Sequence, residues 1–149
     1  MQVILNNIPS DLESFRALPQ LSLASPEDTC AAFLCALALF AKDKDAGTEA
    51  MNILRGPRPM TPYDTQFLRD RGATPQNSYT PQAPYVLNVL SDPRPQDVEE
   101  GYIRVFLKTA GADSPRPVKL RSKGGQWFLW EYSSPLSGIR IPAAQDPWA

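Results

Sequence analysis

Residues 101–132, GYIRVFLKTAGADSPRPVKLRSKGGQWFLWEY, alternate their side chains with period two around two turn signals. Gly-Ala-Asp-Ser-Pro at 111–115 and Gly-Gly at 124–125 interrupt runs rich in β-branched and aromatic residues, which predicts a three-stranded antiparallel meander. Ile103, Val105, Leu107, Val118 and Leu120 form an apolar set, whereas Tyr102, Arg104, Phe106, Lys108, Lys119, Arg121 and Lys123 point the other way. One face is therefore expected to pack on helices and the other to be mixed aromatic and basic. The last run is apolar on both sides, with Phe128, Trp130 and Tyr132 against Trp127 and Leu129, and reads as a central strand or one covered by the tail.

Upstream, three helix starts pair a hydroxyl with a carboxylate three residues on: Ser10 with Glu13, Ser25 with Asp28, and Thr61 with Asp64. Such pairs satisfy the free N–H groups of a helix N-terminus, so these carboxylates read as caps rather than catalytic acids. Helices are predicted at about 11–18, 26–42, 46–55 (capped by Asp45) and 62–71. The second places Cys30, Phe33, Leu34, Leu37 and Phe40 on one stripe with alanines between, as a central helix would. A stiff proline-rich loop over 73–84 leads to a strand at 85–90, with Tyr85, Leu87 and Val89 on one side. The fold expected is α+β in one domain over 1–149: helices on one face of an antiparallel sheet of about four strands, followed by a tail at 133–149. Helices first and a curved meander after is the order of cystatin-like and nuclear-transport-factor-like cone folds.

Composition excludes more than it assigns. The chain has no histidine, which removes the commonest general base and metal ligand, and no cofactor is implied. Cys30 and Cys35 fall about 140° apart around a helix, so they neither bridge nor chelate together and read as reduced core thiols. The net charge of -1 argues against general affinity for nucleic acid or membranes. The opening MQVILNN lacks a basic, apolar leader, and the longest apolar stretch, about 12 residues, falls short of a bilayer span, so a cytoplasmic location is expected. Charge is nonetheless uneven: residues 101–149 carry 7 basic and 3 acidic groups, which makes the meander the basic part.

Candidate sites follow from that asymmetry. Tyr102, Arg104, Phe106, Lys119, Arg121 and Trp127 interleave ring faces and cations, the pattern of a protein-binding surface or of a weak single-strand platform. A solvated face with basic stems lying over aromatic rings gives the same pattern. Tyr85, Trp127 or Trp130, with a buried carboxylate such as Glu131, are candidates for the wall of a small-molecule pocket, and Trp148 in the ending DPWA for an anchor. Asp97, Glu99 and Glu100 read as a solvated acidic loop, and Gly124-Gly125 as a two-residue hairpin turn. With no catalytic constellation in view, the first expectation is a non-catalytic domain that engages a protein partner or a second copy. A pocket protein or enzyme comes second, and single-stranded nucleic acid third.

The segments SPEDT (25–29), GPRPMTPYDTQFLRDR (56–71), GADSPRPVKLRSKGGQWFLWEY (111–132) and DPWA (146–149) together resemble a domain family of unknown function from anaerobic gut bacteria. The resemblance covers roughly residues 22–149 and implies a bacterial, single-domain protein. It carries no catalytic or binding residues over to this chain.

Overall fold

In a computed structural model, which describes residues 1–71, 85–108 and 115–136, the chain forms an α+β unit. Five antiparallel strands, β1 (Gln2–Leu5), β2 (Tyr85–Ser91), β3 (Tyr102–Lys108), β4 (Arg116–Lys123) and β5 (Gln126–Glu131), pair in sequence order. The sheet curls into a half-barrel. Four of these strands match expectation. The fifth, β1, is only four residues long and alternates too briefly to announce itself, yet it pairs with β2 from Gln2↔Asn88 to Leu5↔Tyr85. Gly124 and Gly125 have φ of 59° and 79°, the two positive values of a tight hairpin between Lys123 and Gln126. The proline-rich loop at 73–84, the 111–114 part of the other turn and the tail beyond 136 lie outside the described residues.

The helices are α1 (Leu12–Arg16), α2 (Pro26–Lys42), α3 (Lys44–Arg55), α4 (Pro62–Arg71) and a short α5 (Ser133–Leu136). Ser25 and Thr61 cap α2 and α4 as expected, each accepting from the N–H three residues on. Two caps differ from the sequence reading. Asp11 caps α1, accepting the Ser14 N–H at 2.8 Å in a box closed by the Ser14 hydroxyl, in place of Ser10 with Glu13. Asp43 caps α3 in place of Asp45, because its N–H already ends α2 on Leu39 while its carboxylate accepts from Asp45 and Ala46. One residue thus serves both sides of a single-residue joint.

Every residue of α2 from Thr29 to Ala41 is buried, so this helix is enclosed rather than amphipathic. The expected stripe is part of a continuous core. Leu87, Val89, Val105, Leu107, Val118, Leu120 and Leu129 face it from the sheet; Phe15, Met51, Leu54 and Leu68 come from the other helices. Both cysteines are free and buried; burial pushes the Cys35 thiol up to about 12 and raises Cys30 as well, which leaves them un-ionised.

Gly47 permits the close approach of α3 to α2, since a Cβ there would overlap the Cα of Phe40. A Gly47→Ala substitution is therefore expected to destabilise the chain by about 3 kcal/mol in urea titration despite alanine's better helix propensity. A neutral or stabilising result would contradict this helix packing.

Candidate functional site

Among the described residues strand β5 ends the sheet with no strand neighbour on one side, which corrects the expectation of a central strand; the alternative of a strand covered by the tail lies outside the described residues. The unpaired groups are met by three other segments. Trp127 donates its N–H to the carbonyl of Leu23 at 2.9 Å, and its own carbonyl accepts from the Thr29 hydroxyl at 2.7 Å. Farther along, Nη2 of Arg58 donates to the carbonyls of both Leu129 (3.2 Å) and Trp130 (2.8 Å). An edge that would otherwise offer itself to another chain is closed from within.

Two successive carbonyls meet one guanidinium where the ladder is irregular. Leu120 pairs with Leu129 and the adjacent Lys119 with Glu131, which leaves Trp130 as an extra residue in a β-bulge. The bulge lets Leu129 and Tyr132, three apart, both lie in the core, while Glu131 is exposed. Strict alternation had grouped Tyr132 with Phe128 and Trp130. Instead its ring meets Phe33 edge-on at 5.4 Å, and its hydroxyl accepts from Arg55 at 2.8 Å. Burial raises the Tyr132 pKa, an effect that Arg55 partly offsets, so the phenol stays protonated.

Arg55, 6% exposed, ties three segments together. Besides Tyr132, it pairs with Asp64 at the start of α4 (3.1 Å), and its Nε donates to the carbonyl of Arg58 (2.8 Å). Burial works to raise Asp64, but the N–H and hydroxyl of Thr61 and the Arg55 charge outweigh it and hold the carboxyl below its usual range. Gly56, at φ 63°, makes the turn into this segment against the Phe128 ring. Burial and the neighbouring Arg55 lower the pKa of Arg58.

The Arg58 guanidinium lies 4.2 Å from the centre of the Trp130 ring. Trp130 meets Tyr102 edge-on at 5.4 Å, and Arg121 sits over both rings, 5.0 Å from Trp130 and 5.3 Å from Tyr102. Lys119 is 4.8 Å from the Tyr102 ring, and Arg104 is 5.7 Å from Phe106. Cations and rings thus alternate across the outer face of the sheet. Between Pro57, Arg58, Arg121, Ser122, Lys123, Phe128 and Trp130 lies a groove of about 450 Å³. Among these lining residues three are cations and none is a carboxylate.

Of the residues singled out from the sequence, Tyr102, Arg104, Phe106, Lys119 and Arg121 share this outer face. Trp127 does not; it packs half-buried on the core side. Trp130 stands on the outer face rather than in an enclosed pocket, and the exposed Glu131 is not the buried carboxylate that a pocket reading asks for. Tyr85 opens β2, but its side chain and the whole of Trp148 lie outside the described residues. Arg58 and Phe128 were missed. Arg58's only signal is its place between two prolines in GPRP, and Phe128's is its place opposite Arg121.

Two of the cations are already engaged by the segment between β2 and β3, which is less free than a solvated loop. Arg104 grips Asp92 with two hydrogen bonds of 2.9 and 3.0 Å, and Lys119 holds Glu99 at 2.8 Å. The Arg104 hydrogen bond holds Asp92 below its usual pKa, and the Lys119 hydrogen bond does the same for Glu99. Among the described residues Arg121 and Lys123 have no ion-pair partner.

Residues 7–143 match the family described as domain of unknown function DUF6935. The chain belongs to that family. Neither a curated protein nor a solved structure matches it. The GPRPMTPYD and GGQWFLWEY segments of this DUF6935 chain meet at the Arg58–Trp130 contact, beside the closed edge and the groove.

Arg58→Ala removes two charged hydrogen bonds to edge carbonyls and is expected to cost about 2 kcal/mol in denaturant titration. An unchanged midpoint would show the edge to be closed without it. Because Asp92 and Glu99 titrate lower folded than unfolded, the stability they add is complete above about pH 5 and is lost as pH falls through the folded values. Asp92→Asn is therefore expected to flatten the loss of stability between about pH 5 and pH 2, and a slope equal to the parent's would contradict the pairing.

Proposed function

We propose that this DUF6935 protein is a non-catalytic binding domain of the bacterial cytoplasm, which holds a protein partner, or a second copy of itself, on the outer face of its sheet. The observation that carries the reading is the groove of about 450 Å³ in which Arg58, Arg121 and Lys123 surround the Phe128 and Trp130 rings without a carboxylate among the described lining. Aromatic and arginine side chains are the residues that anchor protein interfaces. The described lining offers cations, ring faces and one hydroxyl, Ser122, with no general base beside it, an arrangement suited to holding rather than reacting. No described helix is long and apolar enough to cross a membrane.

The groove volume also falls in the range of small-molecule sites, which favours, as a second reading, a small anionic ligand carrying a ring. Native mass spectrometry of the protein drawn gently from its host separates the two, since a small adduct supports the second reading and a protein complex or dimer the first. In either case Arg121→Glu, an exposed change, is expected to abolish the bound species while leaving the thermal midpoint within about 2 °C of the parent. Retention of the species by the folded variant would place the surface elsewhere.

A further inference from the structure

We infer that the groove receives an acidic peptide segment, with carboxylates at alternate positions of an extended chain and an apolar side chain resting on Phe128 and Trp130. This rests on the outer face being the binding surface. The chain itself shows what that face accepts. Glu99 docks on Lys119 over Tyr102, and Asp92 docks on Arg104 beside Phe106; each unit is a ring, a cation and a carboxylate. The Tyr102–Arg121–Trp130 unit next to them has its rings and its cation but, among the described residues, no carboxylate.

Spacing narrows the class of ligand. Lys119, Arg121 and Lys123 occupy alternate positions of β4, hence one face of it, at intervals of roughly 7 Å. An extended peptide repeats its side chains at the same interval, so successive alternate acids can meet Arg121 and Lys123 in turn. Cations set in a row suit distributed carboxylates, whereas a single phosphate is held best where donors converge on one point. These cations, unpaired among the described residues, also account for selectivity, because a neutral peptide would leave Arg121 and Lys123 without a partner while covering the rings beside Arg121.

The probe is a capped synthetic heptapeptide with glutamate at alternate positions followed by phenylalanine, titrated into the full chain and followed by tryptophan fluorescence. Saturable binding is expected that weakens with ionic strength and falls at least tenfold in Arg121→Glu/Lys123→Glu, both exposed positions. The doubly reversed variant is expected to bind the matching lysine peptide instead. Equal binding of the glutamine version, or affinity untouched by charge reversal, would overturn the inference. So would binding of a phosphopeptide or a single-stranded oligonucleotide with no binding of the glutamate peptide, although the outer face would then stand as the binding surface. If no probe binds and the host complex also survives Arg121→Glu, the inference and the binding surface fall together.

Discussion

The free edge of β5 is the constraint on which the rest of the structure depends. A sheet that pairs its strands in sequence order must end somewhere, and here it ends on its most aromatic strand. An exposed edge of that composition would invite pairing with other chains. The structure answers with parts drawn from far apart in sequence: the Leu23 carbonyl, the Thr29 hydroxyl near the start of the buried helix, and the Arg58 guanidinium just after α3. The same contacts that protect the edge fasten the helical layer to the sheet. Arg55 extends this fastening to α4 and to the end of β5 through Asp64 and Tyr132.

Closing the edge with an arginine has consequences for the outer face. The guanidinium that reaches the β5 carbonyls must pass over Trp130, so a structural requirement also builds the first cation–ring pair of a row. The bulge at Trp130 allows that ring to stay outside while Tyr132 returns to the core. Farther along the face, the acidic turn before β3 neutralises Arg104 and Lys119. Among the described residues Arg121 and Lys123, on the strand beside the closed edge, are left without an ion-pair partner. Arg121 therefore stands beside the paired Lys119 without a carboxylate of its own among the described residues, and the proposed ligand would continue that pairing without disturbing the contacts that hold the fold.

Much of the fold was legible because its signals are local. Period-two patterning located β3, β4 and β5, the Gly-Gly turn fixed one register, and the caps at Ser25 and Thr61 set the starts of α2 and α4. The outer-face set from Tyr102 to Arg121 followed from parity alone. Parity fails wherever a residue is inserted, which is why Tyr132 was assigned to the wrong face: nothing in WFLWEY marks a bulge. Strand β1 was too short to show a period, and β5 as an edge was disguised because its cover comes from segments remote in sequence. Arg58 illustrates the same limit, since its role depends on carbonyls about seventy positions away. Trp127 looked like its surface neighbours by composition, but its parity puts it on the side of Leu129.

Native-state hydrogen exchange at the Trp127 amide tests the central claim most directly. If the edge of β5 is closed as described, this N–H is released only with the unfolding that frees the core, and its protection should match that of the Val118 and Leu120 amides in the sheet. Exchange on the timescale of an exposed loop, with the core amides still protected, would show that the edge is open in solution and would contradict the account.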